Sequence, residues 1–307
     1  MKKWFSDANE AIFGYGSPLP MGVFRILVGF LSVISLSFNF RIFTDLFTEK
    51  GLYPVWMSER YTEGIPRFDL LAGITDSRVT MVFLVLAVLA ALLTMVGLFT
   101  RIASIALFLL MVTIHHRSGD TLMAADWLLR MWVFAVAVGP SGATLSLDRW
   151  FFGKGAQVEE VSLWPQRLVQ FQLAVVYFMT VWLKWSGDLW REGLATYYAG
   201  YLREFDRFPV PGFMHSIPIV KISTYGTLLV ELAMATLVFS KPMRKWVMIP
   251  ALMMHAYIEY SMNIPLFQWI IVSAFVCHFS GEEIKAWWGR VRERFGKSAP
   301  ALEAEGA

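Results

Sequence analysis

The run VTMVFLVLAVLAALLTMVGLF, residues 79–99, carries no charged side chain. A helix that crosses a membrane needs about 20 consecutive apolar residues, and this run supplies them. Working outward, apolar stretches recur at 21–40, 102–115, 121–139, 168–183, 225–240, 246–260 and 262–279. The sequence therefore predicts an all-α, polytopic integral membrane bundle of about eight transmembrane helices. Composition agrees: the 307 residues are 56% hydrophobic and 17% charged, with a mean hydropathy of +0.52. Thirteen Trp and twenty-five Phe suit a chain solvated by lipid, where aromatic side chains gather at both interfaces. A formal net charge of +3 gives no basic patch for a nucleic acid, so the expected surroundings are the lipid bilayer. The single cysteine, Cys277, excludes an intramolecular disulfide, a CxxC redox pair and a cysteine zinc site.

Residues 1–20 lack the apolar core and small-residue cleavage site of a secretory signal, so the first span is read as retained. The loop KPMRK (241–245) is basic, whereas the turn at Ser261 carries no positive charge. Lys and Arg favour the cytoplasmic side, which predicts both termini in the cytoplasm and the chain in the cell (inner) membrane. Two further segments read as amphipathic and interfacial. In 188–208 the residues Trp190, Leu194, Tyr197, Tyr201 and Phe205 recur at helical spacing. In 282–297 Ile284, Trp288, Val291 and Phe295 oppose Arg290, Arg292, Arg294 and Lys297, as in a basic helix on an anionic leaflet. The chain divides into a membrane domain (1–285), this tail helix (282–297) and a disordered end (298–307).

Ionisable groups within spans cost free energy, so each is a functional candidate. With the N-terminus inside, Asp126, Lys184, Glu231, His255, Glu259 and Asn263 fall at one depth near the outer face. They predict a cavity open to the outer leaflet with aromatic walls, Tyr177 and Trp185 among them. Structural readings stand beside this one: Lys184 snorkelling to the interface, Asp126 and Arg130 neutralising each other at i, i+4, Glu231 locked to Lys184 or His255, and His255 hydrogen-bonded in the core. No metal is expected, because His115 and His116 are adjacent and point to different faces.

The stretch VYFMTVWLKWSGDLWREGLATYY (176–198) resembles a signature of the horizontally transferred transmembrane domain (HTTM) family, which includes the membrane part of the vitamin K-dependent gamma-glutamyl carboxylases. MGVFRILVGF (21–30), the run from Asp126 to Arg130 with the following GPSGATLSLDRW, and MMHAYIEYSMNIPLF (253–267) resemble the same family. Its most specific parts are Lys184-x(3)-Asp188-x-Trp190 and His255-x(6)-Met262-Asn263. The resemblance implies a catalytic set of Lys184, His255 and Asp126, the last standing where the carboxylases carry a histidine. Glu231, Asn263, Trp185, Tyr177 and Glu259 then contact the substrate or quinol. It also implies a reduced vitamin K or menaquinol as cofactor, with O2 and CO2, and a quinol-dependent oxygenase or epoxidase in which Lys184 is the base. A lysine serves as a base only where desolvation leaves part of its amine neutral, and a carboxylate in direct contact works against that. Two other functions stay open: a non-enzymatic maturation, export or immunity partner of a secreted peptide or protein, and a small-molecule carrier.

Overall fold

A computed structural model describes residues 9, 10, 12–153 and 158–296. The predicted tail at 298–307 lies outside the described residues, as do Lys297 and the Phe295 side chain. All eight apolar segments are helical: α1 (Leu19–Phe38), α2 (Ser77–Val96), α3 (Thr100–Arg117), α4 (Ala124–Val138), α5 (Trp164–Trp185), α6 (Ile217–Thr236), α7 (Lys241–Ser261) and α8 (Phe267–Ser273), which runs on as a 3-10 turn to His278. The tail helix is α9 (Gly281–Gly296). Four segments are long and apolar enough to cross a membrane: Leu19–Phe38, Ser77–Val96, Trp164–Trp185 and Ile217–Phe239. The others are shorter or carry charges, such as Lys241, Arg244 and Lys245 in α7.

Local sequence sets the helix ends. Proline in the first turn starts α1, α5, α6 and α7, where its missing N–H costs nothing. Asp76 caps α2 by accepting the Arg78 N–H at 2.9 Å. Gly97, at φ +72°, turns the chain out of α2, a conformation that glycine adopts without a Cβ penalty. Asp148 then reaches back to accept the N–H groups of Phe99 and Thr100 at 2.6 and 2.7 Å, capping α3 from a distant loop.

The helices alternate in direction, so the connections gather at two ends. One end holds the α2–α3 turn, the loop after α4, the α6–α7 turn and α9. A two-residue antiparallel clip there joins β1 (Tyr15–Gly16) to β2 (Val161–Ser162). The other end holds residues 41–76 and 186–216. Successive helices pack in sequence, α1 on α2, α2 on α3, α3 on α4, and α5 on α6, while α8 wedges against α1, α4 and α7. Trp132 of α4 is fully buried at this junction, edge-on to Phe24, and donates its indole N–H to the Ile270 carbonyl at 3.0 Å. Small residues on α2 (Ala87, Ala90, Ala91) bring backbones close where lipid supplies no hydrophobic drive between helices. Arg25 is fully buried and donates to the Leu145 carbonyl beneath the α2–α3 turn.

Two sequence expectations need correction. Helix α6 begins at Ile217 rather than residue 225, so Glu231 lies past its midpoint instead of in its outer half. Hydropathy missed those first turns because Lys221 and Thr224 dilute the apolar signal. The amphipathic segment 188–208 is not one helix. It breaks into Asp188–Arg191, Ala195–Ala199 and a 3-10 turn at Arg203–Phe205. Gly193, at φ +76°, makes the first break, and a Cβ there would meet the Tyr225 ring at 2.8 Å.

Candidate functional site: a cavity at one end of the bundle

A cavity of about 740 Å³ lies among the second half of α5, the middle of α6, the last turns of α7 and the start of α8. The broken segment between α5 and α6 roofs it. Its walls are mainly apolar, with Val176, Met254, Ile258 and Ile271 among them. The volume falls within the usual range of roughly 300–1,000 Å³ for small-molecule sites.

Two polar groups face this space. In the first, the Lys184 ammonium on the last turn of α5 donates directly to Glu231 Oε1, and the Trp190 ring lies 5.0 Å from the same ammonium. Lys184 keeps a quarter of its side chain exposed, whereas Glu231 is nearly buried. The second is a chain of three. Gln268 Oε1 can only accept, so it takes the Nδ1 proton of His255. The other ring nitrogen of the neutral imidazole then accepts the Tyr177 O–H at 2.7 Å. Tyr177, His255 and Gln268 are all buried. Two polar atoms at this site are buried without a partner: the acceptor Glu231 Oε2 and the donor Gln268 Nε2.

Backbone and side-chain ties hold the roof to the end of α7. Arg207 bonds the Glu259 carboxylate and, at 2.9 Å, its carbonyl. The Asn263 N–H donates to the Phe205 carbonyl at 2.6 Å, and Tyr260 O–H to the Pro209 carbonyl at 2.9 Å. The Tyr197 and Tyr201 rings meet at 4.8 Å, inclined by 48°, with His215 5.4 Å from Tyr201, so the mouth is aromatic.

Of the residues singled out in the sequence, Lys184, Glu231, His255 and Tyr177 share the cavity. Glu259 and Asn263 sit outside its lining and fasten the roof, Asn263 by its backbone with its side chain exposed. Trp185, expected in the cavity wall, is exposed on the outside of α5, and the tryptophan beside the Lys184 ammonium is Trp190. Asp126 is absent from the cavity lining. It accepts the Met123 N–H at 2.9 Å as the cap of α4, and Arg130 one turn on lies over Trp127 and reaches His116. The depth argument failed for Asp126 because equal depth does not fix which side of the bundle a helix faces. Sequence reasoning missed Gln268, an uncharged residue in an apolar helix, and the aromatic roof, whose spacing it had assigned to the membrane surface. Among the described residues no three His, Cys, Asp or Glu side chains are grouped to hold a metal ion.

No curated protein and no solved structure matches the chain. The HTTM domain profile matches residues 17–282, from the first turn of the bundle through to the start of α9. With most of its length inside that match, and helices fit to cross a bilayer within it, the chain belongs to the HTTM domain family.

Proposed function

We propose that the cavity binds the head group of a membrane-borne quinol and that Lys184 withdraws its proton, as in a quinol-dependent oxygenase or epoxidase. The observation that carries this reading is the pair of unpartnered buried atoms, Glu231 Oε2 and Gln268 Nε2. A buried polar atom without a partner costs on the order of 1–3 kcal/mol, and a ligand with a hydroxyl donor and a second, accepting oxygen satisfies both. A hydroquinone ring has that pattern, and the apolar walls and tyrosine mouth suit its ring and tail.

A bound quinol would supply O2 with two electrons from its oxidation to the quinone and two more from the ring double bond that becomes the epoxide, one oxygen atom ending in the epoxide and the other leaving as water with the two hydroxyl protons. The protein's part is to place and deprotonate the hydroxyl. Because the Lys184 ammonium donates to Glu231, it has to pass a proton to that carboxylate and the hydroxyl has to take the carboxylate's place before the neutral amine can accept the hydroxyl proton. Tyr177, two turns before Lys184 on the same face of α5, is held in place by the His255–Gln268 pair. A carrier needs polar groups through the whole bundle. The buried Arg25 and Gln166 toward the other end are instead tied to the Leu145 and Cys277 carbonyls.

Mass spectrometry of lipids extracted from the purified full chain tests the binding. Near-stoichiometric quinone is expected, falling in Gln268→Leu, and its absence from the wild type overturns the reading. Lys184→Arg keeps the charge but is too weak an acid to serve as a base. It is expected to retain quinone and lose quinol oxidation, and full turnover in it removes the base role. The reading also includes about eight crossings with both termini cytoplasmic. Glu63 and Glu282 are both exposed and suit labelling. Glu63→Cys and Glu282→Cys are expected to label from opposite sides of sealed vesicles, while buried Cys277 stays silent.

A further inference from the structure

At the end of the bundle away from the cavity, basic side chains from α5 and α7 come together around one ion-paired acid, Glu283. Arg244, in the first turn of α7, is mostly buried, with 11% of its side chain exposed. Its guanidinium lies 5.7 Å from the Phe279 ring and bonds Glu283 at 3.1 Å, leaving Nε buried and unpartnered. Arg167, in the first turn of α5, donates at 2.9 Å to the neutral amide oxygen of Gln170, whose own amide reaches the Cys277 carbonyl, two residues before the Phe279 ring beside Arg244. His278 is buried between these helices, with the Phe239 ring 5.8 Å away. Lys241 and Lys245 extend the charge along α7. Glu283 pairs with Arg244, and among the described residues no salt bridge engages Arg167, Lys241 or Lys245.

We infer that this cluster is a binding site for the phosphate of an anionic phospholipid, held between Arg167 and Arg244 at the rim of the bundle. The adjoining surfaces favour a lipid over a free ion. Phe171 lies one turn along α5 from Arg167, and Ile249 one turn along α7 from Lys245, and both are exposed to the surroundings of the bundle. Phosphate at the arginines therefore leaves its acyl chains against apolar side chains. Beside it, α9 presents Trp287 and Trp288 together with Arg290, Arg292 and Arg294, the composition of a helix lying in the interface of an anionic leaflet. The site is independent of the quinol reading, because it shares no residue with the cavity.

Native mass spectrometry of the full chain, exchanged into phosphatidylglycerol or phosphatidylcholine of identical acyl chains, tests the inference. Retained phosphatidylglycerol is expected to exceed phosphatidylcholine, and Arg167→Gln and Arg244→Gln are each expected to cut that preference about fivefold, the effect of one basic residue at an anionic surface. Equal retention of the two lipids overturns the site. A preference unchanged in both variants also overturns it and assigns the selectivity to α9. Displacement of phosphatidylglycerol by inorganic phosphate overturns the lipid as occupant. Arg244→Lys, which keeps the charge, separates lost binding from lost folding: it is expected to keep at least half the preference, and a loss as complete as in Arg244→Gln, with an unchanged melting temperature, counts against a phosphate contact.

Discussion

Lys184 and Glu231 are in direct contact although one ends α5 and the other lies past the middle of α6. The two helices are therefore staggered, with the first turns of α6 running beyond the end of α5. The short helix Ala195–Ala199 fills that step, where Thr196 bonds the Val220 carbonyl and the Ser223 and Thr224 hydroxyls. The stagger creates the cavity and puts a charge pair at its edge.

The pair is expected to be energetically coupled. Lys184→Met and Glu231→Gln each remove one partner, and the double variant is expected to recover part of the loss. Because Lys184 is a quarter exposed, the coupling is discounted to about 1–2 kcal/mol. A double-mutant cycle on thermal unfolding in detergent measures it, and additivity of the two losses would show that the contact contributes nothing.

Tyr177→Phe removes the donor to His255 Nε2 and leaves that nitrogen buried without a partner. The expected cost is about 1–3 kcal/mol. Trp185→Phe, on the exposed face of the same helix, is expected to stay within about 0.5 kcal/mol. Denaturant unfolding of the two variants side by side checks the contrast.

Gly97→Ala places a Cβ at φ +72° and 1.5 Å from an Arg25 guanidinium nitrogen. The backbone strain alone costs about 1–2 kcal/mol, and the fully buried Arg25 cannot retreat. A loss of at least about 2 kcal/mol is expected in thermal unfolding, with Asp148→Ala losing about 0.5–2 kcal/mol through the α3 cap. A neutral Gly97→Ala contradicts the packing described for this turn.

The docking of α9 depends on pH through Glu283. Partial burial pushes its carboxyl up, but the Ser280 N–H, 2.7 Å away, and the Arg244 guanidinium outweigh this and hold it below the ordinary carboxylate value. A depressed carboxylate stabilises the folded form above its unfolded pKa, and that stabilisation is lost as pH falls through the folded value. The protection of α9 amides, corrected for the intrinsic pH dependence of exchange, is expected to be steady above about pH 5 and to fall in more acidic solution. Glu283→Gln is expected to abolish this pH dependence.

Hydropathy located every long helix because lipid demands apolar length, a signal carried by each segment on its own. Four site residues were legible because a charged or polar group inside a span is expensive enough to stand out. Polar residues that are hydrogen-bonded in the interior were harder. Gln166, which donates to the Cys277 carbonyl, and Arg167 beside it hid the first turn of α5 from a hydropathy reading. Asp126 shows the opposite error, since a capping carboxylate and a cavity carboxylate look alike in sequence. The aromatic roof could not be told from an interfacial helix, because stacking on a membrane and closing over a cavity select the same amphipathic spacing.

The buried contact between Arg25 and the Leu145 carbonyl has a consequence in biosynthetic time. The two residues are separated by 120 positions. At ordinary elongation rates that is roughly 6–24 s of synthesis. Through that interval α1 sits in the bilayer with a guanidinium that has no acceptor, at a cost of about 2.5–3.5 kcal/mol on insertion scales. The first helix therefore enters on its apolar residues alone and is completed only when the loop after α4 arrives, which makes that loop the closing piece of the first half of the bundle.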